Sequence, residues 1–214
     1  MFDTIKPMLT RIKNEKPLIL NITNDVTMDF IANGLLSLGA SPIMSKAQEE
    51  MSELVTFAQS IVINLGTLNN DFVMLCHEVC RLANQFEKPI ILDPVGAGAT
   101  RYRTTTAQQL LSQYEIAILR GNASEVMSLT NMTTMTTKTK GVDSTAQSYV
   151  AVENAKELSS HYDMAVVISG PTDIIVDRDH YQELHYGSAL MPQVTGTGCL
   201  FSAIVAAFHA VEKN

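Results

Sequence analysis

Val194-Thr195-Gly196-Thr197-Gly198-Cys199 places two glycines and a thiol directly before the apolar run at 200–208. Glycines let a backbone approach an anion closely, and the first turn of a following helix offers N–H donors and the positive end of its dipole. Phosphate is the anion such a loop suits best. The same field favours a thiolate, so a cysteine at that point can take up a proton or act as a nucleophile. An ordinary turn followed by a small buried cysteine uses the same residue types. The loop alone leaves both roles open.

Three further stretches carry matching chemistry. Asp93-Pro94-Val95-Gly96-Ala97-Gly98-Ala99-Thr100 sets a carboxylate beside a glycine loop, Arg120-Gly121-Asn122-Ala123-Ser124-Glu125 gathers a guanidinium, an amide and a carboxylate, and Ser169-Gly170 adds a hydroxyl. Arg120 and Ser169 suit phosphate oxygens, while Asp93 and Glu125, directly or through waters, suit the magnesium that nucleotides carry. This is an inventory for phosphoryl transfer. Each member also has a plainer role: Asp93 as a turn cap, Asn122 as a helix N-cap, Arg120 with Glu125 as a surface pair. What favours function is that each stretch follows a buried apolar run, where open parallel sheets bind their ligands.

The elements that must position these groups alternate. Helical spacing over 1–13 is followed by a short apolar strand at 17–21, a helix over 27–38 stopped by Gly39, and a strand at 41–44. Then come a helix near 49–58, a strand at 60–65 closed by Gly66, a helix over 71–86 and the clearest strand at 88–93. Further units are a helix at 105–114, a strand at 116–119, helices at 123–129 and 145–161, and a strand at 165–169. Alternation of this kind predicts an α/β fold with a mostly parallel sheet. Residues 173–178 and 181–186 read as two strands joined at Asp179-His180, an antiparallel edge. The threonine-rich connection at 133–141 is expected to be a mobile surface segment without a catalytic role.

With 214 residues, 46% of them hydrophobic, the chain has material for one large core and one domain, 1–214. A net charge of −7 without a basic run disfavours nucleic acid and anionic membranes as partners. No apolar stretch reaches membrane-spanning length, and Met1-Phe2-Asp3-Thr4-Ile5-Lys6 lacks a signal core, so a cytoplasmic location is expected. Cys76, Cys80 and Cys199 fit neither a zinc site nor a disulfide framework.

Asn21-Ile22-Thr23-Asn24-Asp25-Val26, Ala32-Asn33-Gly34-Leu35-Leu36, Gly39-Ala40-Ser41-Pro42-Ile43-Met44, the Asp93 and Arg120 stretches and Gly196-Thr197-Gly198-Cys199 together resemble the hydroxyethylthiazole kinases. These are the thiamin-salvage members of the ribokinase-like superfamily, and the likeness covers almost the whole chain. The resemblance implies a three-layer α/β/α fold with a mostly parallel central sheet and antiparallel edge strands. It implies ATP-dependent phosphorylation of the primary alcohol of 4-methyl-5-(2-hydroxyethyl)thiazole, with Mg2+ as cofactor and a homotrimer with sites at subunit contacts. Most of the superfamily has aspartate as catalytic base where the thiazole kinases, and this chain, have cysteine. Carried over by position, Cys199 is the catalytic residue, Met44 and Gly196 contact substrate, and Asn24 contributes to a pocket across a subunit contact. Arg120 and Ser169 then contact ATP with Asn122, Thr197 and Gly198, while Glu125 and Asp93 serve the metal.

One departure stands out: the family normally continues beyond the helix after Cys199, so the resemblance implies a domain lacking a C-terminal segment. Two alternatives follow, a thiazole- or nucleotide-binding protein with impaired catalysis and a hydroxymethylpyrimidine-type kinase, the latter disfavoured by Cys199 and Met44. A nicotinamide dehydrogenase is disfavoured because no Gly-x-Gly-x-x-Gly follows the first strand.

Overall fold

The computed structural model describes residues 2–130 and 144–212. The threonine-rich connection at 133–141 lies outside them. Two compact units form, Met1–Asp93 with Pro192–Asn214, and Pro94–Met191.

The first unit holds α1 (Phe2–Glu15), β1 (Leu18–Ile22), α2 (Met28–Leu38), β2 (Ser41–Ile43), α3 (Met51–Phe57), β3 (Ser60–Asn64), α4 (Asn70–Gln85), β4 (Ile90–Asp93) and α8 (Thr197–Val211). Its strands lie in the order β2-β1-β3-β4, all parallel, with Leu20 beside Ile61, Ile61 beside Ile90 and Asn64 beside Asp93. Parallel strands covered on both faces read as unbroken apolar runs. Ile19, Leu20, Ile61, Val62, Ile63, Ile90, Ile91 and Leu92 are accordingly fully buried. Register also sets the polar groups: Asn21, Asn64 and Asp93 share one face, because side chains alternate along each strand. α8 packs on that face against β1, β3 and β4 through its small residues Ala203, Ala206 and Ala207. Gly34 lets α2 meet α8 closely, since a Cβ there would lie 2.3 Å from a Leu200 methyl.

The second unit contains α5 (Arg101–Gln113), β5 (Ile118–Asn122), α6 (Ala123–Thr130), α7 (Ser144–Tyr162), β6 (Ala165–Ser169), β7 (Asp173–Asp177) and β8 (His180–Leu184). β5 runs parallel to β6, while β7 and β8 continue antiparallel as the sequence predicts. The turn falls one residue earlier than expected, with Arg178 in the left-handed region at φ 51° and its N–H donated to Ser159 Oγ at 2.7 Å.

Two boundaries differ from expectation in ways that bear on chemistry. β5 runs to Asn122 instead of stopping at Leu119, because pairing continues through Arg120↔Val167 to Asn122↔Ser169. Arg120 is therefore inside a strand. α8 begins at Thr197, so Gly198 and Cys199 belong to its first turn and only Gly196 forms the entry, as an N-cap at φ 90°.

Candidate active site

In the first unit, the entry to α8 is fixed by steric need. A Cβ at Gly196 would lie 2.7 Å from Thr27 Cγ2 and 3.2 Å from a Phe30 ring carbon, and its positive φ is one that L side chains rarely adopt. The first intrahelical bond runs from Leu200 N–H to Gly196 O at 2.8 Å. The N–H groups of Thr197, Gly198 and Cys199 precede it, at the positive end of the helix. Thr197 N–H and hydroxyl both turn back to Val194 O, at 3.5 and 3.3 Å. That leaves Gly198 and Cys199 as the residues whose first-turn geometry suits an anion.

From Cys199 a buried polar chain runs to the end of β4. Asn24 Nδ2 donates to Cys199 Sγ at 3.4 Å and to Asn64 Oδ1 at 2.8 Å. Asn64 Nδ2 donates to Asp93 Oδ2 at 3.0 Å, and Ser202 Oγ donates to the same oxygen at 2.7 Å. Asn24 and Asn64 are 3% and 0% exposed, and Asp93 and Ser202 are both fully buried. A buried carboxylate is tolerable only with such donors, each worth about 1.5–3 kcal/mol when charge-assisted. Asn64 and Ser202 join this chain although neither lies in one of the motifs above. Their signal was there: an amide closing an apolar strand and a hydroxyl inside an apolar helix.

Met44 follows β2 half-buried, and two residues on Lys46 pairs with Asp25, the neighbour of Asn24. Asn24 itself donates within its own unit, to Asn64 and Cys199. Cys76 and Cys80 are fully buried in α4, and desolvation pushes both thiols well up from the ordinary range. They are inert packing residues. Cys199 is partly exposed.

The second unit gathers the remaining predicted residues in two pairs. Arg120, 8% exposed, donates from Nη2 to Ser169 Oγ on the neighbouring strand. Asn122 and Glu125 form a reciprocal capping box at the start of α6. Glu125 N–H donates to Asn122 Oδ1 at 2.9 Å, and Asn122 N–H donates to Glu125 Oε2 at 2.8 Å. The other carboxylate oxygen accepts Gly96 N–H at 2.8 Å. Glu125 therefore anchors the glycine loop as well as the helix. That loop is braced internally, by Arg103 Nη1 to Val95 O at 2.7 Å and Gly98 N–H to Thr104 Oγ1 at 2.8 Å. The two N–H groups of Gly96 and Gly98 thus serve the chain itself.

Known proteins resemble this chain in sequence and in fold. A family model described as the hydroxyethylthiazole kinase family matches residues 9–214. The hydroxyethylthiazole kinase of Brachyspira hyodysenteriae is 46% identical over 213 residues, spanning 100% of this chain and 78% of that protein. A solved hydroxyethylthiazole kinase from Pyrococcus horikoshii OT3 superposes with a TM-score of 0.87 at 35% identity, covering 98% of this chain and 77% of that one. A ribokinase-like superfamily protein from Enterococcus faecalis V583 gives a TM-score of 0.65 at 14% identity over 93% of this chain and 73% of that chain, a likeness of fold alone.

Proposed function

Because the chain belongs to the hydroxyethylthiazole kinase family, we propose that Cys199 is the base through which it phosphorylates the hydroxyethyl alcohol of 4-methyl-5-(2-hydroxyethyl)thiazole. The alcohol oxygen attacks the γ-phosphorus of ATP, the bond to the bridging oxygen breaks, ADP leaves, and the alcohol proton passes to Cys199 Sγ. The observation that carries this is the place of Cys199: a thiol in the first turn of α8 whose sulfur accepts an N–H from Asn24. Little covalent chemistry is asked of the protein in phosphoryl transfer, so positioning and charge supply most of the rate. The N–H groups of Gly198 and Cys199, behind Gly196 and Thr197, hold the transferring phosphoryl group.

Met44 packs against the thiazole ring, a task suited to a polarisable thioether. Arg120 and Ser169 hold nucleotide phosphate oxygens, supported by their mutual hydrogen bond, which aims the guanidinium along the strand end. Asn122 acts by capping α6 and presenting its first-turn donors.

Magnesium fits this donor set as an ion carried by the nucleotide. Among the described residues no group of three His, Cys, Asp or Glu side chains gathers into a cage, and Mg2+ is commonly held by one or two carboxylates, substrate phosphates and waters. Glu125 is the carboxylate for it, through water, since both its oxygens already accept backbone N–H groups; Asp93, fully buried and held by Asn64 and Ser202, serves the polar chain of its own unit instead. When bound, the ion neutralises phosphate charge. Residues 1–214 act as one kinase domain, a reading supported by the match over 9–214.

Assembly as a homotrimer is part of this reading, with the exposed apolar side chains Val26, Phe30 and Leu36, at 70%, 39% and 60%, as contacts available for it. A cytoplasmic location, where ATP is available, is part of this reading. No helix among the described residues is long and apolar enough to cross a membrane. The activity is tested by incubating purified protein with hydroxyethylthiazole and MgATP and following phosphorylated product and ADP by mass spectrometry. Equal amounts of both are expected, and ADP without phosphorylated thiazole would overturn the acceptor assignment.

A further inference from the structure

The direction of every hydrogen bond between Asp93 and Cys199 is imposed by two backbone groups. Val26 N–H can only donate, and it donates to Asn24 Oδ1 at 3.1 Å, with the Thr27 hydroxyl donating to the same oxygen at 3.0 Å. The amide nitrogen of Asn24 therefore faces the other way, toward Asn64 Oδ1 and Cys199 Sγ. Gly66 N–H likewise can only donate, and it holds Asn64 Oδ1 at 3.0 Å, which turns the Asn64 nitrogen to Asp93. Neither amide can flip without setting a backbone donor against an NH2 group. The partly exposed sulfur at the end of the chain consequently meets a donor. A donor on the charged form of a group favours that form.

We propose that Asn24 is the positioning residue for Cys199, held in a one-way relay by Asn64 and Gly66, and that this relay fixes the thiol as a proton acceptor. This deepens the kinase assignment and rests on it for its catalytic meaning. Gly66 belongs to the device because of its missing side chain: a Cβ there would lie 2.6 Å from Asn24 Cβ and 2.9 Å from Asn24 Nδ2. Under 3.0 Å something must move, and the Asn24 amide is what lies in the way. Asp93 anchors the far end through Asn64 and Ser202. An asparagine at 24 thus does two jobs, capping the approach to α2 with its oxygen and addressing the sulfur with its nitrogen.

The test is alkylation of Cys199 by iodoacetamide across pH, with the rate at pH 7 divided by the plateau at high pH. Cys76 and Cys80 are fully buried and do not compete. Asn24→Asp keeps the oxygen that caps Val26 and Thr27 but replaces the donor facing the sulfur by an acceptor. The expected result is a normalised rate lower by about tenfold. Gly66→Ala, which changes no polar group, moves the curve the same way and serves if Asn24→Asp does not fold. Turnover falls in both while the KM for ATP stays near wild type. A changed plateau with an unchanged normalised rate means altered access alone and overturns the relay. Alkylation needs no phosphoryl transfer, so a relay that behaves as expected in a protein that fails to phosphorylate the thiazole would reject the kinase assignment and keep the relay.

Discussion

Ser202 Oγ donates to Asp93 Oδ2 at 2.7 Å, tying the middle of α8 to the last residue of β4 across 109 positions of sequence. Both groups are fully buried, so this bond holds the catalytic helix against the sheet and helps solvate a carboxylate that water does not reach. Ser202→Ala removes one of its donors without adding bulk. Urea denaturation is expected to show a loss of about 1–3 kcal/mol. No loss would mean that Asp93 is solvated by other means.

Gly196→Ala combines two penalties at one point. The φ of 90° is one that alanine rarely adopts, and the new methyl would meet Thr27 and Phe30. Strain of this kind costs on the order of 1–3 kcal/mol. Thermal unfolding should register it, and turnover should fall with it, because Gly198 and Cys199 follow directly in the same turn. An unchanged melting temperature with wild-type turnover would show that the turn tolerates a side chain.

The alternation of strands and helices was legible because both faces of the sheet are covered and each strand is one apolar run. Boundaries were less legible where polar residues continue an element. Arg120, Gly121 and Asn122 look like a loop in sequence, yet they complete β5 because β6 supplies backbone partners as far as Ser169. Cys199 was found from its glycines, and Asn24 from its motif. The partners that join them were not, since nothing local in the sequence says that Asn64, 40 residues away, faces Asn24. Register is a tertiary property. The capping role of Asn122 was legible in the spacing of Asn122 and Glu125.

Arg120→Ala should raise the KM for ATP and leave thiazole binding alone, since a guanidinium has no task beside a neutral ring. Loss of charge-assisted bonds to phosphate predicts a fall of about 10–100-fold in kcat/KM for ATP. Arg120→Lys should recover part of it, lacking the planar fork. A rise confined to the thiazole KM would contradict the assignment.

Met44→Lys places a charge where the thiazole ring is proposed to pack, and a cation beside an apolar ring face loses both packing and hydration. Calorimetric titration of the folded variant with hydroxyethylthiazole should show no binding. Retained affinity would place the pocket elsewhere.

The role of Cys199 as base is read from the turnover of Cys199→Ala against wild type at saturating hydroxyethylthiazole and MgATP. A positioned base contributes about 10²–10⁴-fold in general, and because positioning and charge supply most of the rate here, a loss of at least about tenfold is expected. Cys199→Ser should fail similarly because an alcohol is a far weaker base than a thiolate, while Cys199→Asp should retain turnover by setting a carboxylate at the same helix start. Substrate KM values should change little, since the phosphoryl group is held by backbone N–H groups. Equal kcat in wild type and Cys199→Ala would contradict the account, leaving the start of α8 as an anion site and the cysteine as packing.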